Sequence, residues 1–261
     1  MRADPCGRQV TSSDPKLPAL VVDPSVFSFQ APFNTPQFQN FILYQAHVGS
    51  FAGKSDGLPV ITDQNGSTAS FTDVQTKLDY IRSMNFNAVQ FLPNGEYDGA
   101  EGGSIQPQQL TPRHGPPDDL RALIDACHQR GLAVFFDVVY NHMDTVDNLW
   151  QFDGNIDHRT DVSDATTGGG IYFSTVETGF GRRPDHDSPD VQRFFIDNAS
   201  MWFDEYHVDG LRFDSAVNFT SVGLLPSSMP CSPAIPISSS TPKTTIPTTS
   251  FNKLAFPPCG T

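Results

Sequence analysis

Four short apolar runs are spaced so widely along the chain that the segments between them must cross over. They are Ile42 to Val48, Asn87 to Leu92, Leu132 to Tyr140 and Val208 to Asp214, each β-branched or aromatic in character. The intervals between them are about 45, 45 and 76 residues, whereas a parallel strand pair needs a crossover of only a dozen or more. Helical patterns fill the gaps. After Ser70, the residues Phe71, Val74, Leu78 and Ile81 recur at spacings of three and four, and Asp73 completes a capping box with Ser70. Pro116-Pro117-Asp118-Asp119 opens a second helix with Leu120, Leu123, Ile124 and Cys127 on one face, closed by Gly131. Ser188-Pro189 opens a third, with Val191, Phe195, Ala199, Trp202 and Tyr206 as its buried stripe. Alternating units of this kind predict an α/β fold with a parallel sheet and helices packed outside it.

The chain changes character at both ends. The first forty residues are rich in proline and turn formers and read as a loosely packed lead-in. All 29 acidic residues precede position 220, and residues 220–261 hold eight prolines and fifteen Ser or Thr. A segment so poor in buried apolar area cannot offset its ordering entropy, which predicts a disordered tail. The division expected is therefore 1–40, 41–219 and 220–261, with an insertion over about 141–187.

Charge narrows the ligand classes. The net charge is −13, and it becomes −15 on residues 1–219 once the tail's two lysines are removed. Such a surface repels phosphate backbones, so nucleic acid is not an expected partner. No apolar run approaches the roughly 20 residues that cross a bilayer, so a membrane is not expected either. The amino terminus carries charges and Pro5 where a signal peptide needs an apolar stretch, which predicts a cytoplasmic protein. Cys6, Cys127, Cys231 and Cys259 form no Cys-x-x-Cys pair and read as free thiols.

Two strands end in carboxylates. Asp137 interrupts the apolar run Leu132 to Tyr140, a costly placement unless the acid is paired. In Gly210-Leu211-Arg212-Phe213-Asp214, the two-residue strand period puts Arg212 and Asp214 on one face and Leu211 and Phe213 on the other. A neighbouring guanidinium favours an ionised Asp214, suited to a nucleophile or to an ion pair that ties strand ends together; the pattern alone leaves both open.

The string Asp137-Val138-Val139-Tyr140-Asn141-His142 resembles the first short sequence region of the α-amylase superfamily, glycosyl hydrolase family 13, and Gly210-Leu211-Arg212-Phe213-Asp214 resembles its second. Tyr44 to Phe51 is similar to the first-strand signature of glycogen branching enzymes and maltooligosyltrehalose trehalohydrolases, and the resemblance covers about residues 40 to 219. It implies about four strands of a (β/α)8 TIM-type barrel acting on an α-1,4-glucan or maltooligosaccharide without a cofactor. It makes Asp214 the nucleophile of a retaining reaction, Arg212 the residue that holds it, and His142, Asp137 and Tyr140 substrate-binding groups. Asn141 would turn the chain or, as in some relatives, help hold calcium. The loop acids Asp144, Asp147, Asp157, Asp161 and Asp164 lack EF-hand spacing and read instead as a solvated loop.

The sequence also departs from the family. Where relatives carry a Trp-Gly-Tyr stretch whose Tyr stacks beneath the reacting sugar, this chain reads Gly102 to Gln108. The acid/base Glu of a fifth strand has no counterpart, and the expectation is a truncated member with an open barrel and exposed sheet edges. Two classes follow: an α-glucan-active enzyme, branching-enzyme-like or trehalohydrolase-like, or a non-catalytic carbohydrate-binding or interaction remnant. For the second class Tyr140, Trp150 and Phe152 are the candidate sugar platforms, with burial in the core as the alternative for Trp150.

Overall fold

A computed structural model of the chain describes residues 4–10, 18–52, 69–97, 105–110, 112–143, 149–150, 152, 156–157, 162–163, 170 and 172–215. The expected tail over 220–261 lies outside the described residues, as do Cys231 and Cys259 and the loop acids Asp144, Asp147, Asp161 and Asp164. Cys6 and Cys127 are free thiols, the first exposed and the second buried.

The four apolar runs form one parallel sheet in chain order: β1 (Leu43–Ala46), β2 (Ala88–Phe91), β3 (Ala133–Val138) and β4 (Gly210–Phe213). Leu43 pairs with Ala88, Ala88 with Ala133, and Gly210 with Phe135, so each strand is offset little from its neighbour at the amino-terminal end. Alternation then sorts the side chains into two clusters. Val89, Phe91, Val134, Phe136, Val138, Leu211 and Phe213 face the helices and join the larger core. Ala88, Ala133 and Phe135 occupy the opposite face, covered by Phe33 and Phe41. Each large side chain removed from water on the helix side contributes about 1.5–3 kcal/mol.

The helices start and stop for local reasons. The expected helix after Ser70 is two: α1 (Phe71–Gln75) and α2 (Leu78–Ser83). The capping box is present, with the Asp73 amide donating to the Ser70 hydroxyl at 3.2 Å and the Ser70 amide donating to the Asp73 carboxylate at 2.8 Å. The break follows at Thr76, whose hydroxyl donates back to the Asp73 carbonyl at 2.6 Å and competes with the helical ladder. Even so, Phe71, Val74, Leu78 and Ile81 are all fully buried. Helix α3 (Pro117–Gln129) ends at Gly131, where φ is +68°. The Leu132 amide reaches the Cys127 carbonyl and the Gly131 amide the His128 carbonyl, both at 2.9 Å, which is the Schellman closure. Helix α4 (Pro189–Asp204) buries Val191, Phe195, Ala199 and Trp202 as its spacing predicts, and Tyr206 is fully buried just past its end.

The described parts of residues 4–40 are mostly exposed but are tied to the rest of the fold at several points, partly through a second, separate sheet. Gln9–Val10 pairs with Ala19–Leu20 and with Ile105–Leu110, and the last of these also pairs with Gly95–Tyr97. Arg8 reaches Glu205 at 2.5 Å. The Phe33 ring stacks on His128 with centroids 4.4 Å apart, and the Thr35 hydroxyl donates to Asp209. Asp209, just ahead of β4, also accepts from the Val134 amide at 2.7 Å and meets His128 Nε2 at 2.9 Å. This buried acid therefore joins the lead-in, α3 and two strands at the amino-terminal end of the sheet.

Within the expected insertion, Phe173–Glu177 and Arg182–Pro184 form an antiparallel hairpin. It is stitched to the chain leaving β3 by reciprocal 2.9 Å bonds between the backbones of Met143 and Arg182.

Candidate active site

The face of the sheet turned away from the helices changes from apolar to polar toward its carboxyl end. Gln90, Asp137 and Arg212 stand there on three adjacent strands, with Asp214 one residue beyond β4. The register explains the contact between Asp137 and Arg212. Arg212 and Asp137 are direct partners across β3 and β4, so their side chains emerge together on the same face.

One guanidinium nitrogen holds both acids. Arg212 Nη1 donates to the two Asp137 carboxylate oxygens at 2.7 Å each and lies 3.1 Å from Asp214 Oδ1. The Asp214 amide donates to the Val138 carbonyl at 3.0 Å, extending the parallel ladder by one bond and fixing the backbone under this carboxylate. Ser215 then turns the chain with φ at +45°.

The two acids differ in environment. The Asp137 side chain is 2% exposed and that of Asp214 is 32% exposed. Burial pushes the Asp137 carboxyl up to about 6, against the hydrogen bond and charge of Arg212, with the Asp214 charge adding to the rise. Gln90 Nε2 approaches Asp137 Oδ2 at 3.4 Å. Burial works to lower the Arg212 pKa, but its hydrogen bond to Asp137 and the charges of Asp137 and Asp214 together hold it above the ordinary value.

Asn141 and His142 extend the cluster outward. Asn141 Nδ2 approaches Asp214 Oδ2 at 3.4 Å, and Asn141 Oδ1 lies 3.0 Å from His142 Nδ1. Asn141 thus spends its amide on the acid and the imidazole. Among the described residues no group of three or more His, Cys, Asp or Glu is placed to hold a metal ion.

Tyr140 is not brought to this cluster. It is 2% exposed in the larger core, its ring between Phe195 and Phe213, and its hydroxyl donates to Asn198. The cause is parity: Asp137 faces away from the helices, so Tyr140, three residues on, faces them. Trp150 is likewise a core residue at 4% exposure, packed on Phe173 with centroids 5.1 Å apart and with the Arg182 guanidinium 5.6 Å from its ring. Phe152 is 54% exposed. Gln90 and Asn198 were not singled out from the sequence. Gln90 shares the strand parity of Asp137, and Asn198 is a polar residue inside the apolar stripe of α4, which are the signals that mark them.

Comparisons with known proteins bear on the fold and the family likeness. Residues 61–164 match a family model described as the alpha amylase catalytic domain. A malto-oligosyltrehalose trehalohydrolase from Deinococcus radiodurans is 27% identical over 206 residues, covering 77% of this chain and 30% of the relative. A 1,4-alpha-glucan branching enzyme from Halothermothrix orenii is 32% identical over 183 residues, covering 68% of this chain and 26% of the relative. The chain thus spans less than a third of the length of these relatives. Among solved structures, a putative alpha amylase from Salmonella typhimurium superposes with a TM-score of 0.66 at 23% identity, over 85% of this chain and 34% of that one. A pullulanase from Anoxybacillus, solved with maltotetraose, gives 0.60 at 21% identity over 82% and 34%. The fold is the strand and helix arrangement of these TIM-barrel amylases.

Proposed function

We propose, for a chain that carries part of an α-amylase-type catalytic domain, an α-glucan-directed site in which Asp214 is the nucleophile of a retaining reaction and the substrate is an α-1,4-linked glucan or maltooligosaccharide. The observation that carries the reading is the single Arg212 nitrogen shared between Asp137 and Asp214 at the carboxyl end of adjacent parallel strands, where α/β barrels place their chemistry. Its branching enzyme and trehalohydrolase relatives support the substrate class.

The residues divide the work by environment. Asp214 is open to solvent on one side and can approach an anomeric carbon, while Arg212 fixes its orientation and balances its charge. Asp137, deeper and with its carboxyl pushed up to about 6 by burial, serves as an acceptor or donor for sugar hydroxyls and keeps Arg212 in place. His142, whose ring is oriented by Asn141, is a second contact for a sugar hydroxyl.

Retaining glycoside cleavage needs a second carboxyl about 5–5.5 Å from the nucleophile to protonate the leaving oxygen. The sequence following Asp214 contains no Asp or Glu, so that part of the chain does not supply it. The direct test therefore uses α-glucosyl fluoride, whose leaving group needs little protonation. The expected result is fluoride release that Asp214→Asn abolishes, with a glucosyl adduct on the Asp214 peptide by mass spectrometry. Fluoride release unaffected by Asp214→Asn, or no release at all, overturns the nucleophile assignment. Maltoheptaose binding that persists in such a protein would favour a carbohydrate-binding module instead.

A further inference from the structure

Among the described residues Phe180 is the most exposed aromatic side chain near the candidate site, at 76% exposure, and it occupies the turn of the hairpin Phe173–Glu177/Arg182–Pro184. A single exposed apolar residue needs no explanation by itself. Its surroundings provide one.

The turn is built to hold this ring out. Phe180 lies between Gly179 and Gly181, whose φ angles of +90° and +141° are ones that other residues rarely adopt. Thr178 closes the loop from both sides, with its amide donating to the Gly181 carbonyl at 3.0 Å and its hydroxyl donating to the same carbonyl at 2.8 Å. The Phe180 amide approaches that hydroxyl at 3.4 Å. Below the turn, Arg182 is bonded to Met143 on both backbone sides and lies over the buried Trp150. The hairpin is therefore anchored directly to the segment that carries Asn141 and His142.

This anchoring places Phe180 beside His142, with ring centroids 5.8 Å apart and planes inclined by 38°. A continuous series of contacts then runs from Phe180 through His142 and Asn141 to Asp214. A pyranose presents polar hydroxyls at its rim and apolar C–H bonds on its faces. An exposed aromatic face next to a hydrogen-bonding imidazole matches both.

We infer that Phe180 is a stacking platform for a glucose unit adjacent to the one held at Asp214, with His142 bonding a hydroxyl of the sugar chain that lies across it. The inference rests on the α-glucan reading above and adds a residue that determines how the chain of sugars is gripped.

The test is calorimetric titration of the full chain with maltoheptaose, using Phe180→Ala, Phe180→Leu and Phe180→Trp. Loss of an aromatic contact of this kind is expected to weaken binding by about tenfold in Phe180→Ala. Phe180→Leu, which keeps apolar area without the aromatic face, should weaken it nearly as much, and Phe180→Trp should retain or tighten it. Melting curves identify any variant that fails to fold, and Phe180→Trp keeps the proposal testable in that event. Unchanged affinity in a folded Phe180→Ala overturns the platform while leaving the Asp214 assignment standing. A wild-type chain that does not bind maltoheptaose overturns the platform together with the glucan reading. Binding that depends on Phe180 in a chain without an Asp214 adduct supports the platform and rejects the nucleophile.

Discussion

Replacing Asp137 by Asn should change how the stability of the protein depends on pH. In the fold this carboxyl holds its proton up to about 6, because burial penalises its charge more than Arg212 compensates. In the unfolded chain an aspartic acid releases its proton near about 3.9. Below that pH the group is protonated in both states and carries no penalty. Between the two values the unfolded chain loses its proton first, so ionisation favours unfolding and stability falls as pH rises. About a unit above 6 the loss is complete and amounts to about 3 kcal/mol. Asp137→Asn is neutral at every pH and removes this dependence. Urea unfolding of both proteins from pH 4 to pH 8 measures the difference. The wild type should lose between about 2 and 3 kcal/mol relative to the variant across that range. A difference that stays constant, or one in which the wild type gains with pH, refutes the claim that burial outweighs Arg212 at this position.

Two further substitutions probe packing on either side of the sheet. A Cβ added at Gly210 would lie 2.3 Å from Phe135 Cε1, so Gly210→Ala should destabilise the protein by about 1–3 kcal/mol in urea unfolding, and no measurable loss would show that the ring moves aside freely. Tyr140→Phe removes the hydroxyl bonded to Asn198 and should cost about 1 kcal/mol of stability while leaving maltoheptaose affinity unchanged; a loss of affinity at unchanged stability would return Tyr140 to the sugar site.

The parallel sheet was legible because Phe91, Phe136 and their neighbours on the helix side repeat at two-residue spacing, whereas the helices between them repeat at three and four. The same alternation correctly joined Arg212 to Asp214. Applied one step further along β3, it would also have turned Tyr140 toward the helices, and the resemblance to a family motif pulled in the opposite direction. The break at Thr76 was hidden because the apolar spacing continues across it; it shows only in the bonds, where the Thr76 hydroxyl and amide both reach the Asp73 carbonyl and the Lys77 amide reaches that of Val74. The contacts of the lead-in could not be read at all. Gln9–Val10 is a strand only because Ile105–Leu110 lies beside it, and Thr35 finds Asp209 across 174 residues of sequence. Neither partner leaves a local trace. Phe180 was equally silent, since an aromatic between two glycines signals a turn and says nothing of its distance from His142.

The two ends of the inner sheet face now stand for different kinds of robustness. Phe135 and Asp137 share that face of β3 only two residues, or about 7 Å, apart, yet one is locked against Phe41 and Gly210 while the other meets charge. Grease at the floor carries cohesion, and ions at the rim carry reactivity. A lineage could therefore retune its rim through many chemistries without loosening the floor, and damage to the floor would surface first as lost protein rather than altered catalysis.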